Sequence, residues 1–125
     1  MRHCLIVDDS DVVRKVARRV LEELHMTSAE AETTDEALES CNRAMPDVVL
    51  LDWHLPQSSS HDFLQLMRHA PGGDQPIVIY CTTENDPDDI ARARHNGANE
   101  ILMKPFDMEG LRRALYRAGV EAMAA

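Results

Sequence analysis

The chain has 125 residues, 44% hydrophobic and 28% charged, enough for one domain and too few for two of ordinary size. Lys and Arg total 13 against 22 Asp and Glu, and the formal charge of −9 argues against nucleic acid as the main partner, since phosphate binding needs clustered positive charge. No apolar run approaches the roughly 18 residues of a membrane span, and Met1-Arg2-His3-Cys4-Leu5-Ile6-Val7-Asp8-Asp9 reaches charge too early for a secretion signal. Cys4, Cys41 and Cys81 are far apart and odd in number, so they read as small buried hydrophobes in a reducing cytoplasm. The expectation is one soluble, cytoplasmic domain with no membrane partner.

The first strand is predicted at His3–Val7. A helix follows, with Val13, Val16, Ala17, Val20, Leu21 and Leu24 at helical spacing and Arg14, Lys15, Arg18 and Arg19 on the other side as a basic stripe. A weak strand at Ser28–Ala31 reads as a sheet edge. Thr33 and Glu36 have capping-box spacing ahead of Ala37, Leu38 and Cys41. Asp47–Leu51 is the third strand, and Phe63, Leu64 and Met67 mark a helix that stops at Pro71-Gly72-Gly73. Pro76–Cys81 is the fourth strand. Asp86-Pro87-Asp88-Asp89 then starts a helix with a capping Asp, a Pro at the first helical position and acids at the positive end of the dipole. Glu100–Met103 is the fifth strand, and Asp107 opens the last helix with Met108, Leu111 and Leu115 facing inward. Three strands are nearly continuous in Val, Ile and Leu, as buried parallel strands are. Five β-α units imply an α/β fold with a doubly wound, five-stranded parallel sheet and five helices.

The residues at the strand ends carry the chemistry. Asp8-Asp9 follow the first strand, Asp52 the third, Thr82-Thr83 the fourth and Lys104 the fifth. In a parallel sheet these carboxyl ends meet at one edge, where ligands bind. Helix capping accounts for one or two such positions, not for three carboxylates and a lysine together. Three adjacent carboxylates repel, so at least one pKa rises unless a cation joins them. All-oxygen donors without a thiolate or imidazole cluster suit Mg2+. With Mg2+ and Lys104 the charges balance, and such a pocket can take a phosphoryl group onto one carboxylate.

The pieces Val7-Asp8-Asp9-Ser10, Leu51-Asp52-Trp53-His54-Leu55-Pro56, Cys81-Thr82-Thr83-Glu84, Gly97-Ala98-Asn99 and Met103-Lys104-Pro105-Phe106, in this order, resemble the receiver domain of bacterial two-component response regulators. The likeness is to the stand-alone chemotaxis type and covers essentially residues 1–125, which implies no output domain. The resemblance implies a flavodoxin-like sheet of order 2-1-3-4-5. It implies Asp52 as the phospho-acceptor, with Asp9 on Mg2+ directly, Asp8 mostly through water and the His54 backbone carbonyl as a further ligand. Thr82 would give its hydroxyl to the phosphoryl group and Lys104 would pair with it. Thr82 is preferred to Thr83 because its separations from Asp52 and Lys104 fit the family's spacing. A cis Lys104–Pro105 bond is also implied.

The implied function is a signalling protein phosphorylated by a histidine kinase or histidine phosphotransfer protein and acting on a downstream target protein, not an enzyme. Two other classes compete. A small Mg2+ phosphohydrolase using an aspartyl-phosphate commonly needs an acid two residues after its nucleophile, where His54 stands. A phosphorylation-independent adaptor would not need the acidic pocket, Thr82 and Lys104. Two departures from the family pattern stand out. Gln57-Ser58-Ser59-Ser60 replaces a glycine-containing turn, so a different loop path or a mobile loop is expected there. Ile101 occupies the place of a common switch aromatic, so the response is expected in the backbone of the Thr82–Asp89 loop. His54 is expected beside the phosphoryl group, with Glu84 at the rim. The first helix's basic stripe is a candidate partner surface, while Arg112, Arg113 and Arg117 read as a solvated face.

Overall fold

The computed structural model describes residues 2–56 and 58–120; Gln57, in the loop singled out above, lies outside the described residues. Strands and helices alternate: β1 (His3–Val7), α1 (Asp11–Glu23), β2 (Thr27–Ala31), α2 (Thr34–Arg43), β3 (Val48–Asp52), α3 (Ser60–His69), β4 (Ile77–Thr82), α4 (Pro87–His95), β5 (Glu100–Met103) and α5 (Met108–Arg117). All neighbouring strands pair in parallel, in the order β2-β1-β3-β4-β5, the flavodoxin-like arrangement. β2 is indeed an edge strand.

Strand alternation divides the core in two. Cys4, Ile6, Leu50 and Ile79 point to one face and pack under α1 and α5, through Val20, Leu21, Leu111 and Leu115. Leu5, Val7, Leu51 and Tyr80 point to the other and pack under α2, α3 and α4, through Ala37, Phe63, Leu64 and Ala93. Every residue of β3 is buried, as a strand covered on both faces must be. The three cysteines are buried and free, and burial pushes Cys81 up to about 12 and Cys41 up to about 11, so these thiols are inert packing groups.

Each helix begins at a side chain that accepts a backbone N–H: Ser10, Thr33, Ser59, Asp86 and Asp107. The boundaries differ from expectation in one useful respect. Asp52 and Thr82 are the last residues of β3 and β4, not the residues after them. The ladder runs on past both, with the Trp53 N–H donating to the Cys81 carbonyl at 2.9 Å and the Lys104 N–H to the Thr82 carbonyl at 2.8 Å. The serine run leads into α3, whose N-cap is Ser59, with its hydroxyl accepting the Asp62 N–H at 3.1 Å.

The basic stripe of α1 needs correction. Arg14 is buried, 7% exposed, and leaves the stripe, whereas Lys15, Arg19 and a 40% exposed Arg18, paired with Glu30 at 2.7 Å, still face solvent. Acidic side chains at the end of β2 draw Arg14 inward. On α5, Arg112 pairs with Glu23 at 2.9 Å, Arg113 with Glu109 at 3.3 Å and Arg117 with Glu100 at 3.5 Å, a solvated ion-paired face of the kind that contributes little to stability.

At the opposite end of the sheet Arg68 of α3 ties two connections together, α3–β4 and α4–β5. Its guanidinium donates to the carbonyls of Gly73 at 3.1 Å, Pro76 at 2.7 Å and Gly97 at 2.5 Å. Gly97 has φ +108°, and a Cβ there would lie 2.7 Å from Arg68 Nε. Both backbone strain and the clash oppose a side chain, so Gly97→Ala should destabilise the fold by about 1–3 kcal/mol in urea unfolding. An unchanged midpoint would show that this loop is not held as described.

Candidate functional site

The strand order reverses between β1 and β3, and the crevice at their carboxyl ends is where a doubly wound sheet binds ligands. Asp8, Asp9 and Asp52 each place a carboxylate oxygen there, all within 4.8 Å of one another. Asp8 and Asp52 are 3% and 4% exposed, whereas Asp9 is open to solvent. Local geometry holds the buried pair. The Ser10 N–H donates to Asp8 Oδ1 at 2.9 Å, and the His54 N–H donates to Asp52 Oδ1 at 3.1 Å. Each carboxylate is thus anchored by the backbone of its own turn. From the start of α3 the buried Ser60 hydroxyl donates to the Asp52 carbonyl at 2.5 Å, fixing the backbone of the last β3 residue.

Lys104 enters the crevice from the turn after β5, where its bond to Pro105 is cis as expected. Its Nζ lies 2.6 Å from Asp8 Oδ2 and 3.4 Å from Asp52 Oδ1. Burial alone would lower the Lys104 pKa; the bond to Asp8 and the charges of Asp8 and Asp52 outweigh it and raise the value, so the ammonium is charged at neutral pH. The Asp52 carboxyl is raised, first by burial and then by the charge of Asp8, against the opposing His54 N–H and Lys104. The repulsion anticipated from the sequence is therefore present, although burial is the larger cause.

Thr82 is buried, and its hydroxyl faces His54 rather than open solvent. His54 Nε2 is 2.9 Å away, and the Glu84 N–H donates to the same oxygen at 3.1 Å. His54 thus bridges Asp52 and Thr82, through its backbone on one side and its ring on the other. Thr83 is exposed and borders a different, mostly apolar hollow with Val12, Val16, Lys104 and Phe106. Ile101 sits opposite Tyr80 in the β4–β5 register. Tyr80 is buried, with its ring 4.4 Å from that of Trp53, and His61 meets Trp53 edge-on at 6.3 Å.

The structure gathers Asp8, Asp9, Asp52 and Lys104 into one cluster and joins Thr82 to it through His54. Three carboxylates form an all-oxygen donor set without sulfur, which fits Mg2+. Sequence reasoning missed Ser60 as the group that fixes Asp52. The signal was available in Ser59-Ser60-His61-Asp62, whose Ser-x-x-Asp spacing marks a helix start and therefore places Ser60 at the helix entrance beside β3.

Comparisons with known proteins agree with this geometry. A family model described as the response regulator receiver domain matches residues 4–116. The phosphate regulon transcriptional regulatory protein PhoB of Escherichia coli is 34% identical over 111 residues, which is 88% of this chain and 48% of that protein. The chain therefore spans about half the length of such curated relatives. Chemotaxis protein CheY of Pseudomonas aeruginosa is 30% identical over 114 residues, 90% of this chain and 92% of that one. The solved structure of chemotaxis response regulator CheY4 of Vibrio cholerae superposes with a TM-score of 0.88 at 28% identity, covering 94% of this chain and 98% of that one. Receiver domains bind Mg2+ at an aspartate cluster of this kind. By sequence and by fold, the chain belongs to the response regulator receiver domains, the phosphoryl-accepting modules of two-component signalling.

Proposed function

We propose that residues 1–125 act in the cytoplasm as the phosphoryl-accepting receiver domain of a response regulator. Asp52 takes a phosphoryl group from a histidine kinase or histidine phosphotransfer protein, and the phosphorylated form binds a downstream target protein. Asp8, Asp9, Asp52 and the His54 backbone carbonyl hold Mg2+. The supporting observation is the pocket itself, three carboxylates within 4.8 Å with the Lys104 ammonium on two of them.

In the transfer, an Asp52 oxygen forms a bond to phosphorus as the phosphorus–nitrogen bond of the donor imidazole breaks. The electron pair leaves with that nitrogen. Mg2+, when bound, neutralises charge on the phosphoryl oxygens. Lys104, already 3.4 Å from Asp52 Oδ1, pairs with another of those oxygens. Thr82 donates its hydroxyl once it gives up His54 and the Glu84 backbone. That release frees the Thr82–Asp89 loop, which carries the response, while Ile101 remains a filler beside Tyr80. Burial of Asp52 keeps bulk water from the product.

The apolar hollow beside Lys104 suits the donor. Val12 is 71% exposed there, with Val13, Val16, Pro105 and Phe106 around it. An amphipathic helix carrying the phosphohistidine fits such a surface better than nucleic acid or membrane does, given the net charge of −9. Among the described residues no helix is long and apolar enough to cross a membrane. Turnover of an outside substrate is disfavoured because His54, whose ring is bonded to Thr82, stands where a phosphohydrolase keeps its acid.

Three measurements test this reading. Acetyl phosphate with Mg2+ should add one labile phosphoryl group by intact mass, and Asp52→Asn should add none. Labelling of Asp52→Asn elsewhere would overturn the acceptor, steady phosphate release would favour the hydrolase, and no modification the adaptor. Emission of Trp53, the sole tryptophan, should change saturably on Mg2+ titration. Asp9→Asn should abolish that change, and Lys104→Ala should tighten Mg2+ binding because a competing cation is gone. Without divalent metal, Asp52→Asn should melt higher than wild type at neutral pH. A carboxyl whose folded pKa is raised costs stability as pH climbs through the unfolded and then the folded value, so the variant's advantage should vanish in acid. An advantage that grows on acidification would contradict the sign.

A further inference from the structure

Arg14 makes four side-chain hydrogen bonds, to two elements and to the strand end that carries the site, and no step above uses it. Its side chain is 8% exposed. Nε donates to Glu30 Oε1 at 2.9 Å, and Nη2 contacts Asp11 Oδ1 and lies 3.5 Å from Glu32 Oε1. Glu30 is gripped a second time, by Arg18 Nη1 at 2.7 Å. The bond to Arg18, opposed by burial and reinforced by Arg14, lowers the Glu30 pKa and keeps this clamp ionised. The remaining nitrogen points elsewhere: Nη1 donates to the backbone carbonyl of Asp8 at 2.6 Å.

That carbonyl belongs to the peptide plane joining Asp8 to Asp9. The other side of Asp8 is fixed as well, because its N–H donates to the Ala31 carbonyl at 3.0 Å. With both flanking peptide planes held, the direction in which the Asp8 side chain leaves the chain is set, and the Cα of Asp9 is placed beside it. We propose that Arg14 is a positioning residue of the metal site, which orients the Asp8–Asp9 peptide so that both aspartates face one cation. This rests on the Mg2+ reading above. The guanidinium suits the task because its planar fork serves the carboxylate clamp and the carbonyl at the same time, which a lysine ammonium cannot do in one geometry.

The sign of the effect separates positioning from simple charge. As a charge, Arg14 opposes a nearby cation, so its removal would tighten Mg2+ binding. As an orienting group, its removal weakens binding, by roughly tenfold or more for an outer partner of a metal ligand. The experiment is Mg2+ titration of the full chain by Trp53 emission and by calorimetry, at a temperature where circular dichroism shows each variant folded. Arg14→Met should raise the Kd roughly tenfold. Arg14→Lys, which keeps the charge, should still bind several-fold more weakly than wild type. Arg18→Met, which removes an equal charge from the same clamp without touching Asp8, should bind as wild type does. Should Arg14→Met fail to fold, Arg14→Lys decides, because a purely electrostatic role predicts no change in it. Unchanged or tighter binding in the Arg14 variants, or equal weakening in Arg18→Met, overturns the proposal while leaving the metal site intact. Absence of any saturable Mg2+ response in wild type overturns the metal reading and this one together.

Discussion

Two aspartates almost sealed from solvent stand side by side in this protein, and one lysine makes that tolerable. At the separation of Asp8 and Asp52, two like charges repel by roughly 3–4 kcal/mol at the effective dielectric of a partly buried site, and burial penalises each carboxylate further. The Lys104 ammonium, 2.6 Å from one and 3.4 Å from the other, offsets part of both costs and leaves the Asp52 carboxyl raised. For that contact to exist, β5 must end level with β1 and β3, and the parallel register through β4 delivers this, with Asp52 opposite Cys81 and Thr82 opposite Met103. The site depends on the sheet, and the sheet's loaded end depends on the lysine.

Much of this was legible in the sequence because short-range physics governs it. Thr33, Asp86 and Asp107 cap the helices they were expected to cap, since a side chain two or three residues from its N–H partner needs no tertiary context. Leu5-Ile6-Val7 and Val48-Val49-Leu50-Leu51 read as buried strands because only a doubly covered sheet hides such runs. The convergence of Asp8, Asp9, Asp52 and Lys104 followed from parallel connectivity. Asp52 and Thr82 were placed one residue beyond their strands because hydrophobicity ends before the hydrogen-bond ladder does.

What escaped the sequence depends on partners far along the chain. A helical projection puts Arg14 on the polar side with Lys15 and Arg18; it knows nothing of Glu30 and Glu32 at the end of a neighbouring strand, or of a carbonyl within a long side chain's reach. The ring of His54 was expected near the phosphoryl position, but its bond to the Thr82 hydroxyl joins two elements that no local pattern connects. Ser60 looked like turn filler until α3 was seen to begin beneath Asp52.

The divided core has a further consequence. Thr82 shares strand parity with Tyr80, so its side chain belongs to the face covered by α3 and α4, whereas the hollow around Val12 and Phe106 belongs to the face of α1 and α5. A partner gripping one face leaves the other bare, and the crevice lies between them. Thermodynamic reciprocity then applies: a protein that binds the α4 face more tightly when Asp52 is modified must stabilise the modified form by the same factor. Such a partner would act as a memory element, favouring the state that recruited it without touching Asp52.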